Sequence, residues 1–289
     1  MPRSLQLLLV VLAPVAVFLG MVAADRTFDA PGRSGTNSVR VELPPAGGEI
    51  GLPPIEGPLD ASRPLIVIDP GHGGYDPGAG TGKVKEKDLT LALARELKQE
   101  LLTGGGVRVA LTRSDDRYLL LEERSGIARR LKADLFLSIH TDSADSADAS
   151  GATVYTLSDK GSDEIATRLA ARENRADTVG GVNLAGTSDA VSAILVDLSQ
   201  RDTDARSTEF AGLILREGAG LLPFRERSQR QAAFVVLKSA DLPSVLFEVG
   251  YISNEKDAVR LASPAGRAAF GKATAQAVRV FFARHAAGG

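Results

Sequence analysis

Beyond residue 64 the chain alternates short, nearly unbroken apolar runs with longer stretches in which apolar residues recur at helical spacing. The short runs at 65–69, 107–112, 135–140, 152–157, 234–237 and 245–249 predict β-strands. The periodic stretches predict helices over 89–102, 120–131, 163–176, 208–219 and 265–284. Strands alternating with helices build a largely parallel α/β sheet, here of about six strands in a single domain, with helices covering both faces. Gly104, Gly105 and Gly106 supply the turn from the first helix into the second strand, and Ala133 with Asp134 do the same before the third.

Three of these strands deliver a polar group at the carboxyl end, where open α/β sheets form their sites. The run 65–68 leads into His72 within DPGHGG (69–74), the run 135–139 ends in His140, and the run 245–247 ends in Glu248. Burying a carboxylate inside VLFEV (245–249) without a partner is costly, so Glu248 needs a metal, an ion pair or a catalytic task.

The chain before residue 64 has a different character. A short basic start, an apolar stretch over 5–24 and small residues at 22–24 predict an export signal over 1–24. The alternative is a membrane anchor, since about 20 apolar residues can span a bilayer. Either way the domain is expected in the periplasm, with an inner-membrane tether in the second case. Seven of the fourteen prolines fall within 29–64, so 25–63 is expected to be a Pro/Gly-rich linker ahead of a catalytic domain at 64–285. Extended at about 3 Å per residue, it could reach on the order of 100 Å.

Composition narrows the chemistry. A net charge of -2 and an aromatic content of 5% offer neither a basic field nor a stacking surface for nucleic acid, and no such partner is expected. The absence of cysteine removes disulfides, thiolate nucleophiles and cysteine zinc sites together, so a metal must sit on His, Asp or Glu. There are three histidines, and His285 lies in the polar tail.

A hydrolytic zinc site commonly uses two imidazoles and one carboxylate, which leave one position open and lower the pKa of bound water toward ~7. His72 and His140 are the imidazoles. Glu86 can supply the carboxylate: it follows a loop with Gly73, Gly74, Gly78, Gly80 and Gly82 and precedes a helix expected from near Asp88. Its bland alternative is an ordinary charged helix start. Glu248 beside the zinc would act as general base and then general acid. Asp69 and Asp142 either orient the imidazoles or bond nearby backbone amides.

The segments DPGHGG (69–74), KEKD (85–88), SIHTD (138–142) and FEVGYISN (247–254) resemble, in this order, the zinc-dependent N-acetylmuramoyl-L-alanine amidases of the bacterial cell wall. The resemblance covers about 64–283. It implies cleavage of the amide between N-acetylmuramic acid and L-alanine in peptidoglycan, with His72, Glu86 and His140 on zinc and Glu248 as the catalytic acid/base. Thr141 stands where the family usually has Ala or Asn.

The cell-division members of that family carry a long insertion, matched here by about 157–206, whose helix covers the metal until a protein activator removes it. Within 163–176, Ile165, Leu169 and Glu173 share one helical stripe, so Glu173 is expected either to cap the zinc, as the resemblance implies, or to be a solvated surface glutamate. Val191, Ile194, Leu195 and Leu198 form a second stripe, expected either to pack in the core or to dock the activator. A monomer is expected. Two other classes stay open: a wall-binding module, for which Glu248 would have no use, and a zinc carboxypeptidase acting on stem peptides, which would release D-alanine.

Overall fold

The computed structural model describes residues 51–286 apart from 82–83, 145, 147, 180–181, 184–192 and 240; for 81, 178–179, 182–183 and 193–199 it describes the backbone alone. In chain order the main elements are β1 (Leu65–Pro70), α1 (Glu86–Gly104), β2 (Arg108–Leu111), α2 (Leu121–Arg130), β3 (Leu135–His140), β4 (Ala152–Leu157), α3 (Glu164–Glu173), α4 (Ala193–Gly218), β5 (Phe224–Ala232), β6 (Ser244–Glu248), α5 (Glu255–Ala262) and α6 (Pro264–Ala286). The predicted export signal, most of the linker and Val191 lie outside the described residues.

The six strands form one sheet in the order β2-β1-β3-β6-β4-β5. All neighbours run parallel except β6 and β4, which are antiparallel. The three chemistry-bearing strands β1, β3 and β6 are adjacent, and the parallel register sets Glu248 directly opposite His140.

Alternation along each strand explains why both faces are covered. In β1, Ile66 and Ile68 point into a core shared with α1, α4 and α6, while Val67 points into a second core with α2 and α3. Helix α1 contributes Leu89, Leu93, Leu97 and Leu101, one every four residues, to the first core. Each leucine removed from water in this way contributes roughly 1.5–3 kcal/mol. Gly105 and Gly106 then turn the chain with φ of 66° and 79°, a region that favours glycine.

Several sequence expectations change. The apolar segment 234–237 is not a strand: Val235–Leu237 forms one 3-10 turn. Val236 and Leu237 reach the second core from that turn without sheet partners. The sixth strand is instead Phe224–Ala232, whose sequence FRERSQRQA has no apolar run because it sits at the sheet edge, paired only with β4. The helix expected over 208–219 is the second half of the 26-residue α4, and the closing helix is preceded by a separate short one, α5. At the amino-terminal side, Glu56 exchanges two backbone hydrogen bonds with Val109, so the last part of the expected linker pairs with β2. Among the described residues, no helix is long and apolar enough to cross a membrane.

Candidate active site

The site assembles at the carboxyl ends of β1, β3 and β6. His72 lies two residues past β1 with φ of 59°, a left-handed conformation that costs a non-glycine residue about 1–3 kcal/mol unless its surroundings enforce it. Two buried arginines enforce it. Arg124 donates to the carbonyls of Pro70 and His72 (3.0 and 2.9 Å), and Arg113 to those of Pro70 and Gly71 (2.9 and 2.8 Å). Close approach then explains two glycines. A Cβ on Gly71 would meet the His140 ring at 2.5 Å, and one on Gly78 would meet His72 Cδ2 at 2.6 Å and Glu86 Oε2 at 2.7 Å.

Glu86 is the first residue of α1, with Lys85 as N-cap. Both of its oxygens accept backbone amides at 2.8 Å, Oε1 from Thr141 and Oε2 from Ala79. The same oxygens face the imidazoles: Oε2 is 3.1 Å from His72 Nε2 and Oε1 is 3.3 Å from His140 Nδ1. Glu173, at the end of α3, places Oε2 3.4 Å from each of these two nitrogens. The two rings meet edge to face, with centroids 4.8 Å apart.

This donor set fits a divalent cation. His72 Nε2 and His140 Nδ1 are buried and have no partner at hydrogen-bonding geometry. The ligand atoms of His72, His140 and Glu173 all lie within 4.8 Å of one another. Donors about 2.0–2.2 Å from one tetrahedral ion lie about 3.3–3.6 Å apart, and the four contacts above are close to that spacing. Two carboxylates, Glu86 and Glu173, face these nitrogens, and Glu86 is fixed by two backbone amides at the start of a core helix. His72 Nδ1 lies 2.7 Å from Asp76 Oδ2, an arrangement that leaves Nε2 free to face the cluster.

The electrostatics call for positive charge. Burial opposes ionisation of Glu86, but the His72 charge and the contacts from both imidazoles outweigh it and hold this carboxyl well below the ordinary range. Burial likewise opposes the charge on His72, yet Glu86, Asp76 and Glu173 push its pKa well above the usual histidine value. Glu248 goes the other way. It is fully buried, and burial followed by the negative charges of Glu86 and Glu173 raises its pKa well above the carboxylate range. Its Oε2 accepts the Asp142 amide at 2.8 Å, while Oε1 has no hydrogen-bond partner. A buried carboxyl whose pKa is raised, with one oxygen free, is equipped to take up and release a proton.

The structure thus brings together His72, Glu86, His140, Glu173 and Glu248. Asp69 touches neither imidazole. It accepts from Arg124 (3.0 Å), Thr112 (2.5 Å) and Ser138 (2.8 Å), and so neutralises the arginine that holds the His72 loop. Asp142 is bonded to Arg172 of α3 and to the Ser143 amide rather than to a histidine. The carboxylate that orients an imidazole is Asp76, whose only sequence signal was its position four residues after His72 in a glycine-rich loop. Arg113, Arg124 and Arg172 carried no local signal at all. Ile194, Leu195 and Leu198 lie on the backbone of α4, with side chains outside the described set, and Val191 lies outside it altogether.

A buried His/His/Glu cluster with a proton-handling glutamate, set at the edge of a mostly parallel sheet, suits a metal-dependent hydrolase. Residues 66–280 match the Amidase_3 family model, N-acetylmuramoyl-L-alanine amidase, and the chain belongs to that family. It is 40% identical over 220 residues to N-acetylmuramoyl-L-alanine amidase AmiA of Escherichia coli K12, covering 75% of this chain and 76% of that one. It is 34% identical to AmiC of Escherichia coli O6:H1, covering 84% of this chain and 58% of that one. The fold is similar to the catalytic domain of CwlV, an N-acetylmuramoyl-L-alanine amidase from Bacillus (Paenibacillus) polymyxa, with a TM-score of 0.57 at 26% identity over 76% of this chain and 98% of that one. Its reaction is therefore hydrolysis of the amide between N-acetylmuramic acid and L-alanine in peptidoglycan.

Proposed function

We propose that this hydrolysis depends on zinc held by His72, Glu86 and His140, that Glu248 moves the proton, and that Glu173 covers the site until a protein activator displaces α3. The observation that carries the proposal is the pair of buried, unpartnered imidazole nitrogens facing the Glu86 carboxylate. When bound, zinc supplies a Lewis acid that polarises the scissile carbonyl and acidifies water near neutral pH. Glu248 Oε1 accepts the proton of the attacking water as its oxygen bonds to the lactyl carbonyl carbon. The same carboxyl returns that proton to the L-alanine nitrogen as the C–N bond breaks, while the Asp142 amide keeps Oε2 in place. Glu173, within 3.4 Å of both imidazole nitrogens, occupies the approach that the carbonyl needs.

The insertion 157–206 supports regulation because it supplies α3 and the start of α4. The basic-then-apolar start of the chain supports export to the periplasm, where the enzyme would act on its substrate during wall remodelling and daughter-cell separation. The test is digestion of purified peptidoglycan by the chain and by Glu173→Ala, with and without chelator and with Glu248→Ala. Stem peptides with a free L-alanine amino terminus should appear, disappear with chelator and return with zinc. Glu248→Ala should slow release about 10²–10⁴-fold while zinc content is retained. Release of D-alanine instead, or hydrolysis indifferent to chelator, would overturn the proposal.

A further inference from the structure

A cleft of about 530 Å³ lies between Asp142 to Ala144, α3, the start of β5 and Tyr251, and the Asp142 amide is the one that binds Glu248. Among the described residues, Arg168, Arg172, Arg175 and Arg225 line it, with Asp142 as the acidic lining residue. Asp142 is already paired with Arg172, and Arg168 is paired with Glu164 outside the cleft. Among the described residues, Arg175 and Arg225 have no carboxylate within ion-pair distance. The described lining of the cleft therefore carries excess positive charge in a chain whose net charge is -2. Such an excess attracts an anion.

Arg225 differs from the other three because it belongs to the sheet. It follows the Phe224–Ala152 pair, at the irregularity that precedes the Gln229–Val154 pair, and so stands on a different element from α3. Its Nη1 donates to the Tyr251 hydroxyl at 2.5 Å, and its guanidinium carbon sits 5.1 Å from the centre of that ring. Tyr251 is 1% exposed and is itself fixed by its backbone N–H, which donates to Asp257 Oδ2 (3.0 Å). An arginine held this way has lost much of its conformational freedom before a ligand arrives and still offers further N–H donors. Its planar fork matches a carboxylate.

Of the two halves of peptidoglycan, the stem peptide carries free carboxylates and begins at the amide that is cut. Resting on the hydrolase assignment above, we propose that this cleft is the stem-peptide subsite and that Arg225, oriented by Tyr251, binds a free carboxylate of the stem peptide. Arg225 acts in recognition and orientation and takes no part in the proton transfers.

The test is calorimetric binding to the full chain of two probes that differ by one charge, L-alanyl-D-glutamate and its α-amide L-alanyl-D-isoglutamine, each with the γ-carboxyl capped as a methylamide. The acid should bind at least about tenfold more tightly than the amide, in the range of a charge-assisted hydrogen bond. Arg225→Gln should bring the acid down to the affinity of the amide and leave the amide unchanged, with Arg225→Lys in between. Arg225→Lys keeps the charge and decides the matter if Arg225→Gln fails to fold. Equal affinity for the two probes in the unaltered chain, or an equal loss for both on substitution, would overturn the subsite. Failure of the hydrolase assignment would appear elsewhere, as peptidoglycan left uncut by Glu173→Ala with the preference for the acid probe intact.

Discussion

Glu86 and Glu173 present carboxylates to the same two imidazoles, but they stand on helices secured in different ways. Helix α1 sinks Leu93, Leu97 and Leu101, each 0% exposed, into the larger core. Helix α3 has 10 residues, buries only Ala166, Leu169 and Ala170 on its apolar side, and leaves Ile165 at the surface. Much of what holds α3 is polar: Arg172 to Asp142 and the Ser143 carbonyl, Asn174 to the Ala233 carbonyl and the Val235 amide, and Asp163 to Arg230. The ion pairs differ in the same sense. Arg124–Asp69, under the His72 loop, is 2% and 0% exposed, whereas the Arg172 side chain is 40% exposed. Solvent and salt weaken the second kind of pair far more than the first. One carboxylate thus stands on a helix sunk into the larger core, and the other on a short helix held largely by polar contacts.

The comparison breaks most visibly at two leucines. Leu93→Ala should lower global stability by about 2–5 kcal/mol, read as an earlier denaturant midpoint for the whole domain. Leu169→Ala should instead speed hydrogen exchange in α3 with little change in that midpoint, since it loosens a local unit. Equal shifts of the midpoint would mean that α3 is as integral as α1.

A smaller effect is expected at the cap. Glu173→Ala should raise basal hydrolysis of peptidoglycan about tenfold, equivalent to about 1.4 kcal/mol in favour of the open state. Zinc content measured after dialysis should persist, because His72, Glu86 and His140 remain. A loss of metal in this variant would make Glu173 a resident ligand and remove the distinction between the two helices.

The smallest effect near neutrality concerns the buried ion pair. Burial raises the Asp69 pKa, but Arg124, Thr112 and Ser138 outweigh it and leave the folded value below the ordinary 3.8. A carboxyl lowered on folding contributes stability that is fully present above its unfolded pKa and is lost as pH falls through the folded one. Asp69→Asn should therefore lower stability at pH 7 and flatten the loss of stability below about pH 4. A variant whose acid limb matches that of the unaltered chain would show that Asp69 does not fasten the His72 loop.

How much of this was legible in the sequence depended on whether the signal was local. Strands β1, β3 and β6 were readable because each is an apolar run that meets water only at its end, so a His or Glu at that end stands out. Helix α3 was readable from its period, and Asp163 is its N-cap as the start of that period implied. Strand β5 was not, because an edge strand paired on one side tolerates polar residues along its length. The segment 234–237 misled for the opposite reason, since apolar residues can fill a core from a 3-10 turn as well as from a strand.

By itself the sequence determined the α/β class, the presence of two imidazoles and two glutamates at strand and helix ends, and the chemistry such a set supports. Hydrophobic periodicity and residue type are enough for that, as each is written within a few neighbouring positions. Only the tertiary structure decided that Asp76 orients His72 and that Arg113 and Arg124 hold the strained loop. It also decided that Asp69 serves the fold and that Arg225 meets Tyr251 in the arginine-lined cleft. Most of those relations join residues tens of positions apart, and even Asp76 reaches His72 only through the fold of a glycine-rich loop. They depend on which strands become neighbours, and packing energy summed over the whole sheet sets that order.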